Sequence, residues 1–406
     1  MFERSIPEFV RHAPAPSVHG FATLTGVEAI ARGSLVSVFP LEMYNALTQA
    51  QAVSEVYFLI GCASLLVGLL VPTISRKLSR RWTYSLGAVM MFCGPGLAAS
   101  GHPYGVIVGL MLTTFATVVL FVCLNAYVLD YVKRHDFGKC ETLRMLYSAV
   151  GWTLGPVLGV VFWEWWRPLP FLISMTAAVA LLIIFWFMRL GNGRLIIRAS
   201  SPAINPLAYL GRFFKQKRLV AGWIFAVTRS CGWWVYVVYL PIYALENGLG
   251  PSIGGLLLSL TNSLLFTTPL MLFLLRRLGV KRAIRYGFLL AGVMFSLAGI
   301  TGNWPYFAIC LLFVGSLAMI FLDICGGLPF LMAVKPSDRN EMSAVYSSFR
   351  DVSAIITPGA SALVLLVAPL AMVFAFGGSL LLFSWMIGGK LNPRLGDSSW
   401  RKQTSP

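Results

Sequence analysis

Apolar residues run in stretches of about 20 along the whole chain, with polar positions gathered into short breaks between them. A helix of that length crosses the hydrocarbon core of a bilayer. The pattern predicts spans over 22–45, 53–74, 82–101, 104–130, 144–164, 168–189, 219–243, 252–275, 284–302, 304–331, 344–367 and 369–389. The ten-residue alternation that marks a membrane barrel is missing from the pattern. The fold class expected is therefore all-α integral membrane, with twelve transmembrane helices. Composition agrees: 57% of residues are hydrophobic and only 12% charged, where a soluble domain carries roughly a quarter charged.

The breaks are uneven. Residues 191–217 form the only long internal polar segment, with Pro202, Pro206 and Gly211 among many cations, and they divide six spans from six. Landmarks repeat across this divide. Arg81 pairs with Lys281, Glu141 with Glu341, Val132 with Val334 and Tyr147 with Tyr346, at offsets of 199 to 202. We expect two pseudo-symmetric six-helix bundles, residues 1–190 and 218–406, joined by a cytoplasmic linker over 191–217, the second with a short cytoplasmic tail. Pro40, Pro241, Pro269, Pro329 and Pro358 fall inside spans, where a missing backbone donor bends or interrupts a helix.

Net charge changes the picture only once it is mapped. The chain carries +17, from 32 Lys and Arg against 15 Asp and Glu. With alternate loops assigned to alternate sides, all but four of those cations gather on one side, Arg144 among them. Arg167 stands alone opposite, and Arg32, Arg229 and Arg350 lie inside spans. This is the positive-inside pattern, with both termini cytoplasmic, and it argues against a nucleic-acid partner. The seven cysteines form no C-x-x-C pair and no His/Cys cluster, so neither a metal site nor a bound cofactor is expected. The first twenty residues lack the apolar core of a cleaved signal, so the first span itself is the targeting element. The phosphate-binding loop G-x-x-x-x-G-K-[ST] is absent.

The fifth span contains Gly151, Gly155, Pro156 and Gly159. Small residues four apart let a membrane helix press closely on a neighbour, and the proline bends it. This segment resembles the helix-5 motif of antiporters in the major facilitator superfamily. A second resemblance lies in the loop after span 2, Pro72 to Arg81, with its twin from Arg276 to Arg282. Both keep the basic residues of the superfamily's G-x-x-x-D-R-x-G-R-R loop, but the first copy replaces its glycines and its acid by Pro72, Ser79 and Arg76. With twelve spans in two halves, the chain is similar to the major facilitator superfamily over nearly its whole length. The resemblance implies secondary transport by alternating access, with the substrate site near the midplane.

Ionisable residues inside spans are costly and are functional candidates by default. Glu28 and Arg32 stand one turn apart on one face of span 1, the acid first, which is the favourable order. They read either as a self-neutralised packing pair or as a wetted pair that binds substrate and handles a proton. Arg229 in span 7 lies near the repeat position of Arg32. It reads as a second anion-gripping guanidinium or as the partner of Asp323 or Asp351. Asp323, in span 10 before Gly326 and Gly327, is a candidate proton or cation site. Trp233, Trp234 and Tyr236 either flank a substrate or pack. Arg80, Arg81, Asp130, Arg350 and Asp351 are gate candidates, Asp130 as the carboxylate that bridges to Arg80 or Arg81. Arg350 and Asp351 are adjacent and point about 100° apart. Glu42, Glu55, Glu164 and Glu246 lie near outer helix ends, where water accounts for them.

These features predict a secondary transporter of a small molecule in the cell inner membrane, a monomer surrounded by lipid and coupled to protons. The helix-5 resemblance favours export. The missing arginine in span 4, usual in drug exporters of that kind, leaves uptake of an anionic metabolite or siderophore open. A non-transporting scaffold or sensor is a third reading. An enzyme would need a dense His, Glu or Asp constellation, and His12, His19, His102 and His135 are scattered.

Overall fold

Backbone amides in hydrocarbon find no water, so an apolar span satisfies them by folding into helix. A computed structural model describes residues 17–132, 136–190, 206–334 and 338–390. Among these the chain is all helix and turn, with no strand. Span 1 comprises α1 (Val18–Gly33) and α2 (Val38–Leu47). Five unbroken helices follow: α3 (Ala50–Leu78), α4 (Arg80–Ala98), α5 (Pro103–Tyr131), α6 (Phe137–Trp165) and α7 (Leu169–Leu190). The expected linker holds a short helix, α8 (Pro206–Phe214), and residues 191–205 lie outside the described residues.

Span 7 comprises α9 (Lys217–Trp234), a π turn over Val235–Tyr239, and α10 (Leu240–Glu246). Span 8 comprises α11 (Ser252–Ser263), a 3₁₀ turn over Leu264–Thr267, and α12 (Thr268–Leu278). Then come α13 (Val280–Ile300), span 10 as α14 (Pro305–Cys325) with α15 (Leu328–Ala333), span 11 as α16 (Arg339–Tyr346) with α17 (Phe349–Leu365), and α18 (Ala371–Gly389). Eight of these stretches are long and apolar enough to cross a membrane on length and composition alone. The others are α4 and the spans built around α9, α11 and α17, which brings the helical stretches among the described residues to the twelve read from the sequence. The expected architecture is thus observed: an all-α integral membrane protein.

Four of the five breaks within spans among the described residues follow prolines, the one between α16 and α17 being the exception. A proline at position i leaves the carbonyl of residue i−4 without its donor. For Pro40 that carbonyl belongs to Val36, in the turn between α1 and α2. For Pro241 it is Val237, in the π turn; for Pro269, Leu265, in the 3₁₀ turn; for Pro329, Cys325, where α14 ends. Pro358 departs from the expectation, because α17 runs through it unbroken. The released carbonyl belongs to Ala354, and a Cβ placed on Gly61 would stand 2.7 Å from its oxygen. Only a glycine lets another backbone come that close, and its Cα–H groups can then face the freed oxygen.

The chain divides into two compact units. The first holds Met1–Ala46 and Cys62–Ala203, the second Leu47–Gly61 and Ile204–Pro406. The start of α3 thus belongs with the second unit, where Ser54 meets the Tyr239 hydroxyl at 2.8 Å. In the first unit Leu24, Tyr84, Met91, Leu120, Tyr127 and Phe185 form the core, and Tyr84 stacks on Phe185 with centroids 4.1 Å apart. In the second unit Phe213 of α8 is fully buried in a cluster with Leu219, Phe330, Val334, Met342 and Val345. Arg212 of the same helix donates to Asp338 at 2.9 Å. The part of the linker described is therefore packed structure rather than a loose connection.

Candidate functional site

In the first unit, α1 and α6 meet along the glycine positions of the fifth span. A Cβ on Gly151 would stand 2.6 Å from the Ala29 carbonyl carbon, and one on Gly155 would stand 2.5 Å from that of Gly33. A Cβ on Gly159 would run into the Ser34 carbonyl oxygen, and Pro156 is buried beside them. The motif is a seam on which two helix backbones touch. It fixes the face that α1 presents.

On α1, Glu28 is buried and Arg32 about one-third exposed. Arg32 Nη1 donates to Glu28 Oε1 at 3.4 Å, a long contact. The guanidinium also lies 5.2 Å over the Trp152 ring, supplied by the residue after Gly151. The seam thus delivers an aromatic platform to the cation, a favourable arrangement where water is thin.

Arg144 corrects the sequence reading, which counted it among loop cations. Its side chain is 9% exposed. Nε donates to Thr25 Oγ1 at 3.0 Å, Nη2 to Asn125 Oδ1 at 3.1 Å, and Nη1 to the Glu141 carboxylate at 3.2 Å. A guanidinium is buried when its donors are matched in this way. Glu141, three residues earlier, was the available signal; Thr25 and Asn125 are remote in sequence.

Glu42 is the second correction. Water was expected to account for it, yet it is 3% exposed. It accepts from Trp163 Nε1 at 2.6 Å and from Arg167 Nη2 at 3.2 Å. Arg167 also lies 5.2 Å over the Trp163 ring. The group lines an open cavity of about 630 Å³ with Asn45 and Glu164. Glu55, Glu164 and Glu246 are exposed, as expected of outer helix ends.

In the second unit α9 and α14 bring Arg229 and Asp323 together. Arg229 Nε lies 3.1 Å from Asp323 Oδ1, an ion pair whose N–H is not aligned for a hydrogen bond. Nη1 donates to the Leu322 carbonyl at 3.2 Å, and Trp233 Nε1 donates to Asp323 Oδ2 at 3.0 Å. Gly326 leaves room for the guanidinium, since a Cβ there would stand 3.2 Å from Nη1. Of the two partners the sequence offered Arg229, Asp323 is the one in contact. Trp233 joins the site, whereas Tyr236 is packed, its hydroxyl 3.0 Å from Thr261 Oγ1, which continues 2.8 Å to Ser316.

The gate candidates divide. Arg80 of α4 is paired with Asp130 of α5, and its guanidinium lies 5.4 Å over Tyr127. Arg81 is exposed and lies 5.8 Å over Trp82. Arg350 and Asp351 occupy the first turn of α17, the former exposed and the latter half-buried. Phe349, which the sequence reading did not single out, has Arg229 at 5.9 Å and Arg350 at 5.6 Å from its ring.

Known structures share this architecture. The nucleoside transporter NupG superposes with a TM-score of 0.65 at 16% identity, covering 93% of this chain and 100% of that one. A POT family transporter bound to a thioalcohol-conjugated peptide gives 0.73 at 14%, covering 94% and 96%. The peptide transporter POT in complex with sulfate gives 0.72 at 13%, covering 97% and 99%. At such identities the likeness is one of fold. A comparison with curated proteins found no match. The sequence itself matches the Major Facilitator Superfamily over residues 21–358, and the chain belongs to that superfamily of secondary transporters.

Proposed function

We propose that this secondary transporter couples the movement of a small polar, anion-bearing solute to protons, with Arg229 and Asp323 as the coupling pair. The Arg229–Asp323 contact carries the reading. It joins two helices inside the spans at 3.1 Å, so a shift of α9 against α14 changes it directly. A solute carboxylate or phosphate competes with Asp323 for the guanidinium, which grips such groups bidentately. Displaced from its cation, the carboxylate gains a proton; restored to it, the carboxylate releases that proton. Glu28 and Arg32 form the corresponding polar site of the first unit. The relatives named for a nucleoside and for peptides support a polar solute rather than a lipophilic one.

Direction is read as export from the helix-5 motif. Uptake is the second reading, favoured by the exchange at Arg229, which loads solute and proton together, and by the seam: contact between α1 and α6 accounts for those glycines without reference to direction. By the positive-inside rule the basic helix ends and both termini face the cytoplasm, and the protein acts as a monomer in the inner membrane. The test uses proteoliposomes with a pH-sensitive dye inside, after a thermal-shift screen of polar anions and zwitterions has supplied a ligand. The ligand is expected to drive a pH change that Asp323→Asn abolishes while ligand counterflow persists. A pH change undiminished in Asp323→Asn sinks the coupling role.

A further inference from the structure

The turns joining α3 to α4 and α12 to α13 match. Ser79 and Gly279, 200 positions apart, both have left-handed backbone, with φ of 63° and 76°. Each following helix starts without a side-chain cap and with cations: Arg80 and Arg81 in α4, Lys281 and Arg282 in α13. A cation in the first turn opposes the positive end of the helix dipole, so an anion close by is stabilising. The first unit supplies one in Asp130.

The second unit does not. Under the offset that relates Val132 to Val334, the position matching Asp130 is Met332. Among the described residues, Arg277, Lys281, Arg282 and Arg285 form no ion pair. Arg285 adds an independent sign: its Nε is buried without a hydrogen-bond partner. Its guanidinium is held 5.5 Å over Trp385 of α18, and its Cγ lies 3.1 Å from where a Cβ on Gly388 would stand. Arg277 lies 4.4 Å over Phe273. Phe273, Leu274 and Tyr286, all exposed, put apolar surface directly beside the cations. Cations bordering apolar surface at a span end meet lipid at the depth where headgroup joins acyl chain.

We infer that Arg277, Lys281, Arg282 and Arg285 bind the headgroup phosphate of an anionic phospholipid. The lipid supplies to the second unit the negative charge that Asp130 supplies to the first. The apolar flank selects a lipid over a free phosphate ion, and the excess of cations selects an anionic headgroup over a zwitterionic one.

Native mass spectrometry of the purified full-length protein, titrated with phosphatidylglycerol and phosphatidylcholine in detergent, tests this. One phosphatidylglycerol is expected to be retained above the background of both lipids. Arg282→Gln with Arg285→Gln should weaken that binding roughly thirtyfold, and Arg80→Gln should leave it unchanged. Arg282→Gln alone, at an exposed position that leaves the α13–α18 packing intact, should weaken it by about fivefold. Equal retention of phosphatidylcholine, unchanged affinity in both variants, or displacement of the lipid by millimolar inorganic phosphate would each overturn the inference.

Discussion

Glu28–Arg32 in the first unit and Arg229–Asp323 in the second are both acid–arginine pairs within spans, and they are built differently. Glu28 and Arg32 share one helix, a turn apart. Arg229 and Asp323 belong to different helices, 94 positions apart in sequence. An intrahelical pair travels with its helix and is indifferent to how that helix moves. An interhelical pair reports every displacement between its two supports. The aromatic partners follow suit. Trp152 reaches Arg32 from the neighbouring α6, whereas Trp233 donates to Asp323 from the same helix as Arg229. The first pair is therefore suited to presenting charge and the second to sensing motion.

The largest effect is expected from Arg229→Ala, which strands Asp323 with the Trp233 indole as its remaining partner. Thermal unfolding in detergent should show a loss of about 2–4 kcal/mol, below the range for fully buried pairs because Asp323 is one-third exposed. Removing Asp323 as well should restore much of that loss. A double variant no more stable than Arg229→Ala would place the cost in packing instead.

Next comes Gly155→Leu. With 2.5 Å between a Cβ there and the Gly33 backbone, the larger side chain separates α1 from α6 and costs about 1–3 kcal/mol. It should also quench the Arg32–Trp152 contact, detectable as a change in tryptophan emission that Arg32→Ala reproduces, while the Arg229 pair is unaffected. An unchanged melting temperature would deny the seam.

Smallest is the loss from Glu28→Gln, below about 1 kcal/mol, because the amide keeps the shape of the buried side chain and leaves Arg32, 35% exposed, near water. A cost above that of Arg229→Ala would reverse the comparison.

Much of this was legible in the chain. Hydropathy located the spans because a bilayer leaves helix as the one solution for each. Four of the five prolines marked real breaks for a local reason, the loss of one donor. Pro358 did not, because its remedy comes from Gly61, nearly 300 positions away. Arg144 and Glu42 misled for the same cause. A charge near a helix end reads as solvated unless its partners are known, and Asn125 and Arg167 are distant in sequence. The Arg229–Asp323 contact stood among the options that charge alone permits. Choosing it required the crossing of α9 and α14.

The π turn at Val235–Tyr239 has a consequence for the tyrosines around it. Tyr236, Tyr239 and Tyr243 are all inward and nearly inaccessible, at 1%, 0% and 2%. A widened turn holds one surplus residue, and such a surplus can migrate along a helix, rotating each side chain it passes by about 100°. Slipping that residue towards Pro241 would swing hydroxyls out of their partnerships with Ser54 and Thr261 and bring neighbouring valines round in their place. Span 7 thus carries its surplus residue beside Pro241, where the tyrosine hydroxyls meet Ser54 and Thr261.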